Sequence, residues 1–145
     1  MKLRVTVTGD KKLAARLARM SGEMAGQKLE TAVVSGALLV QNRAKEIVRE
    51  KKVYKTGNLR RSIHIGGHAE QSELANSDGA DIGGNSHTKT KAEVLVGTNV
   101  VYAASHEYGR GNLAARPYLR PALDESKGDV AREIGDALKQ LLRSV

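Results

Sequence analysis

Between Met24 and Glu50, Leu29, Val33, Gly36, Ala37, Val40, Ala44, Ile47 and Val48 recur at intervals of three and four residues. That period lays one apolar stripe along a long helix. Val34 and Leu38 lie outside the stripe, so the buried face is broad or the helix has two partners. Gly36 costs such a helix about 1 kcal/mol against Ala, which suits a place where another element approaches closely. Gln41, Asn42, Arg43, Lys45 and Arg49 occupy the far face.

Shorter signals flank this helix. Leu3, Val5 and Val7 alternate with polar residues, as in a half-buried strand ended by Gly9. Asp10 is a good N-cap for a short helix carrying Leu13, Leu17 and Met20. Residues 51–58 read as a loop. The run Leu59 to Ile65 predicts a strand with Leu59, Ile63 and Ile65 on one side, stopped by Gly66-Gly67. Residues 68–91 are polar and read as a long mobile loop. Ala92 to Gly97 is a strand that Val100 to Tyr102 continues or follows with another. Tyr102 to Tyr108 fits one helical turn closed by Gly109.

Ala114 to Pro117 leads into a last helical region, with Pro121 at a break or in a first turn. From Ser126, a helix bearing Val130, Ile134, Ala137, Leu138, Leu141, Leu142 and Val145 runs to the end. No repeat or linker divides the chain. The expectation is one α+β domain over residues 1–145: a small antiparallel sheet of three to five strands packed on a long central helix and a C-terminal helix.

Composition removes several functions. No cysteine means no disulfide, no thiol nucleophile and no cysteine-bound zinc. No apolar run approaches a membrane span, and the N-terminus lacks a signal peptide's apolar core. The chain is thus expected inside a cell unless it leaves as part of a particle. With four Tyr and no Phe or Trp, it can hardly build a base-stacking platform.

Reactive motifs are equally sparse. His64, His68, His87 and His106 read as surface or interface residues. His106-Glu107 opens like a zinc-protease helix, but Arg110 stands where the second His belongs. A hydrolase built on His106 and Glu107 would lack a nucleophile, a cofactor loop and a second metal ligand. Ser62 and Ser105 have no nucleophile elbow. Gly79 to Asn85 is glycine-rich but is a poor phosphate cradle. Asp124 and Glu125 are explained by a nearby helix start.

Charge is the more informative feature. Residues 1–58 carry 13 basic and five acidic side chains, which accounts for the whole net charge of +8. Arg43, Lys45, Arg49, Lys51, Lys52, Lys55, Arg60 and Arg61 are opposed only by Glu46 and Glu50 within that stretch. Such a cluster could follow a phosphate backbone without reading bases, or could simply be a solvated helix end.

Three segments carry a resemblance. They are Tyr54-Lys55-Thr56-Gly57-Asn58-Leu59-Arg60-Arg61-Ser62-Ile63, then Val96 to Ala103 running into His106-Glu107-Tyr108-Gly109, then Ala115-Arg116-Pro117-Tyr118-Leu119-Arg120-Pro121-Ala122-Leu123. In order and spacing the chain resembles a minor tail family encoded among the head–tail joining and tail-completion genes of tailed phages and prophages. Tyr108 and Tyr118 stand where Phe is commoner, and Val53-Tyr54-Lys55 where the family often has a Pro.

The resemblance implies a structural virion protein of the tail or neck, made in the host cytoplasm. It implies no catalysis and no cofactor or metal. It also implies a ring of identical subunits around the DNA path, contacting tail terminator or head-closure proteins. The residues it carries over, for fold and assembly, are Thr56, Gly57, Leu59, Ser62, Ile63, Gly97, Tyr102, Ala103, Glu107, Gly109, Arg116, Pro117, Tyr118 and Pro121. Tyr102 and Tyr118 are expected in the core with hydroxyls at its edge. Glu107 and Arg116 either pair, pinning the loop between them, or are solvated separately. Non-specific nucleic-acid binding through 43–61 is the alternative function.

Overall fold

The computed structural model describes residues 2–8, 15, 19, 22–53, 57–66, 82–87 and 91–143. The short helix expected at Asp10, Leu13, Leu17 and Met20 falls outside them. The described chain forms β1 (Lys2–Thr8), α1 (Gly22–Glu50), α2 (Asn58–Ser62), β2 (His64–Ile65), β3 (Ser86–His87), β4 (Lys91–Gly97), α3 (Ala103–Tyr108) and α4 (Leu119–Arg143). This is an α+β fold with a four-stranded antiparallel sheet.

β4 is the sheet's centre. β1 pairs along its whole length, from Lys2 opposite Gly97 to Thr8 opposite Lys91. The other edge of β4 is shared: β2 pairs at Val96 and Gly97, and β3 pairs at Ala92 and Glu93. Between them Asn85 Oδ1 accepts the Leu95 N–H at 3.3 Å, and Gly66 N–H donates to the Leu95 carbonyl at 2.8 Å. Within the polar stretch 68–91, then, residues 82–87 lie on the sheet, with Ile82 buried. Residues 68–81 and 88–90 fall outside the described residues.

Helix α1 has two partners. Ala92, Val94 and Val96 of β4 join its buried stripe on one side, and Leu119, Ala122, Val130, Ile134 and Leu138 of α4 join it on the other. This explains the breadth of its apolar surface: Val34 is half-buried, while Leu38 stays exposed. At Gly36 the side chains of α4 come close to the α1 backbone. A Cβ there would sit 2.8 Å from Ile134 Cγ1 and 3.0 Å from Val130 Cγ1. Lys28 Nζ also donates to the Leu141 carbonyl at 3.0 Å, tying the two helices near their ends.

Four sequence expectations are corrected. The run from Leu59 is not one strand, because α2 takes Asn58–Ser62 and only His64–Ile65 is extended. The buried residues Leu59, Ser62 and Ile63 have helical spacing, and the Ser62 hydroxyl closes the turn by donating to the Leu59 carbonyl at 2.7 Å. The last helix is continuous from Leu119 and does not restart at Ser126; of the two readings of Pro121, the first turn holds and the break does not, and a missing N–H costs nothing there. Asp124 and Glu125 therefore lie past the first turn and are not explained by a helix start. Asp124 pairs with Lys127, and Glu125 with Arg43. After Gly97 the chain turns instead of continuing the strand, with the Ala103 N–H donating to the Val100 carbonyl at 3.1 Å.

Candidate functional site

The three sequence segments meet in space. Of the first, Tyr54, Lys55 and Thr56 fall outside the described residues. Gly57 precedes α2 with φ 79°, a left-handed conformation that favours glycine. It sends Leu59 into the core and leaves Arg60 exposed. The Ser62 hydroxyl then meets Thr98 Oγ1 at 2.5 Å, and Thr98 Oγ1 accepts the Val100 N–H at 3.2 Å. Both side chains are buried, so the first segment is joined to the second by a hydroxyl pair.

The second segment is joined to the third by Glu107. Its carboxylate, on α3, is only 4 % exposed. Oε2 accepts the N–H groups of Tyr118 at 2.7 Å and Leu119 at 3.1 Å, while Oε1 accepts that of Arg120 at 3.1 Å. These are N–H groups that the start of α4 leaves without intrahelical partners. Both sequence readings of Glu107 fail: it is neither solvated nor paired with Arg116. Arg116 is exposed, and its N–H donates to the His106 carbonyl at 2.7 Å. A carboxylate capping backbone from another helix leaves no periodic trace in a sequence.

Tyr118 is wholly buried, and its hydroxyl donates to the Ala103 carbonyl at 3.4 Å. Burial, reinforced by the Glu107 carboxylate, pushes that hydroxyl far above the usual tyrosine range. Tyr102 is only half-buried and stands edge-on to the His106 ring, with centroids 5.7 Å apart. Burial raises its hydroxyl too, opposed by a backbone hydrogen bond from Leu59. His106 is shifted downward, first by burial and then by the Arg116 charge. Its Nδ1 is buried without a hydrogen-bond partner, as is Asn99 Oδ1.

Beyond α3 the surface changes character. Gly109 has φ 77°, and Arg110 and Leu113 exchange backbone hydrogen bonds of 3.1 and 2.9 Å across a tight turn. A Cβ on Gly109 would lie 2.9 Å from the Leu113 carbonyl, so this turn requires glycine. Residues 110–116 are all exposed. Val101 is 65 %, Tyr108 71 % and Leu113 40 % exposed, three large apolar side chains that lie just before, at the end of and just after α3 in sequence.

The basic stretch is not one surface. Arg43 contacts Glu125 at 2.6 Å, Glu50 at 3.0 Å and Glu46 at 3.2 Å. These carboxylates, Glu125 first, hold its guanidinium charged well beyond the ordinary range. Lys51 Nζ donates to the Pro117 carbonyl at 2.7 Å, and Arg61 to Asn58 Oδ1 at 2.7 Å. Lys55 falls outside the described residues. Lys45, Arg49, Lys52 and Arg60 have no carboxylate partner among the described residues. Lys45 is held below the usual lysine range, by burial first and by Arg60 second.

Among the described residues no group of three or more His, Asp or Glu is placed to hold a metal ion. His64 bonds the Ser62 carbonyl and His87 bonds Glu30; His68 falls outside the described residues. No described helix is long and apolar enough to cross a membrane.

What the three segments build, then, is a framework of buried hydrogen bonds beside an exposed turn. Residues 11–109 match the family model described as "Bacteriophage HK97-gp10, putative tail-component". The chain belongs to this HK97 gp10-like family of bacteriophage tail components. The match ends at Gly109, so the third segment lies beyond it. No curated protein and no solved structure matches the chain.

Proposed function

We propose that the protein is a virion component of a tailed phage or prophage that completes the tail or neck at the head–tail junction. Copies close into a ring there and contact tail terminator or head-closure proteins. The observation that carries this reading is the exposure of three large apolar side chains, Val101, Tyr108 and Leu113, before, on and after α3. Large apolar side chains left in water are candidates for association sites, and aromatic residues often dominate the energetics of such sites. In this proposal Thr56, Gly57, Leu59, Ser62, Ile63, Gly97, Tyr102, Ala103, Glu107, Gly109, Arg116, Pro117, Tyr118 and Pro121 serve fold and assembly.

The test is light scattering after size-exclusion chromatography over a range of concentrations, for the wild type and Tyr108→Ser. The expected result is a discrete oligomer that the variant weakens at least tenfold without losing its fold. A wild type that stays monomeric throughout would overturn ring closure through this face.

A further inference from the structure

The cations of residues 43–61 separate onto two flanks of α1. At about 100° per residue, positions 43, 46 and 50 fall together on one flank, and positions 41, 45 and 49 on the other. The ion pairs agree: Glu46 and Glu50 both turn to Arg43, where Glu125 of α4 joins them. The only two acidic residues of the stretch are thereby used on one flank.

The opposite flank is placed by Gln41, whose Nε2 donates to the Ile63 carbonyl at 2.9 Å just past the end of α2. One turn further along α1, half-buried Lys45 lies close enough to Arg60 of α2 to feel its charge. Arg49 follows after another turn, about 6 Å along the axis from Lys45. Lys52 lies just past the helix at φ 52°. Arg49, Lys52 and Arg60 are exposed, and α2 contains no acidic residue. Like charges held together without a counter-charge raise each other's energy, and a polyanion relieves that cost.

We infer that Lys45, Arg49, Lys52 and Arg60 form a docking ridge for the phosphodiester backbone of nucleic acid, with Arg43 and Lys51 outside it. Charge complementarity selects the occupant. Among the described residues the ridge offers cations without an aromatic platform, so it contacts phosphates and does not read bases. The inference does not depend on ring closure.

The test is fluorescence anisotropy with a labelled random-sequence DNA duplex, titrated across salt. Four phosphate contacts predict a log–log salt slope of roughly −3.6, and each neutralised cation should reduce its magnitude by about 0.9. Lys45→Gln, Arg49→Gln and Arg60→Gln combined should therefore weaken binding at low salt by roughly tenfold or more. Arg132→Gln with Lys139→Gln, on exposed α4 positions, should leave the slope unchanged. Light scattering on the same samples separates a loss of DNA contact from a loss of assembly. An equal effect of both variant sets would reduce the ridge to net charge and overturn the inference. So would competition by polyglutamate as strong as that by DNA, which would assign the ridge to an acidic protein.

Discussion

The Glu107 carboxylate accepts the Tyr118 N–H at 2.7 Å, so a residue on one short helix caps the long helix that starts after it. The same group takes the next two N–H groups of α4. Charged acceptors at a helix start combine hydrogen bonding with a favourable dipole interaction. Glu107→Ala would leave buried donors without partners, and a loss of about 3 kcal/mol is expected. Glu107→Gln, which keeps one acceptor oxygen, should lose less. Urea unfolding measures both, and a loss below about 1 kcal/mol for the alanine variant would refute the capping role.

Ser62 and Thr98 act as a unit. Removing either hydroxyl leaves a buried partner less well satisfied, so Ser62→Ala and Thr98→Val should each cost about 1–2 kcal/mol. The double variant should cost clearly less than the two losses combined, because one interaction is counted in both. Additive losses would show that the hydroxyls are independent.

Gly36→Ala sets helix propensity against packing. Alanine favours the helix by about 1 kcal/mol, but its methyl would lie 2.8 Å from Ile134 Cγ1. A net loss on the order of 1 kcal/mol is expected, since overpacking commonly costs 1–3. In an Ile134→Ala background the same change should turn neutral or stabilising. A gain in stability in the wild-type background would mean that α4 shifts freely.

His106 predicts a pH effect. Burial and Arg116 lower its proton affinity in the folded state. Below about pH 6.5 the unfolded chain therefore binds more protons than the native one, and stability falls as the pH drops. Above that pH this contribution is fully present and constant. His106→Phe should flatten the decline in Tm between about pH 7 and pH 5. An unchanged profile would show that other groups control acid sensitivity.

The long elements were legible because burial gives them a period. The stripe of α1 and the run Val130, Ile134 and Leu138 of α4 each repeat at helical spacing, and the crowding at Gly36 follows from the lack of a side chain. Short elements have too few residues to show a period. Leu59, Ile63 and Ile65 fit an alternating strand, yet Leu59, Ser62 and Ile63 also fit a helical turn. Gly57 in front of them and a serine able to bond back were the signals for the turn. β3 is two residues in a polar stretch, and no pattern announces it. Glu107 was singled out in the sequence, but its partners are backbone groups, which every residue supplies alike. Of the partners of Arg43, Glu46 and Glu50 stand in the same stretch, whereas Glu125 lies far along the chain and no local pattern announces it.

Gly36 belongs to the stretch that matches the family, while Val130 and Ile134, which pack against it, lie beyond its end. A chain stopped at Gly109 would retain the capping carboxylate without the helix it caps, and would expose the slot that Ile134 fills. The shared stretch is thus expected to depend on α4 in this protein. Its border runs through the interior, and a truncation cut along it should yield insoluble material, not a smaller working unit.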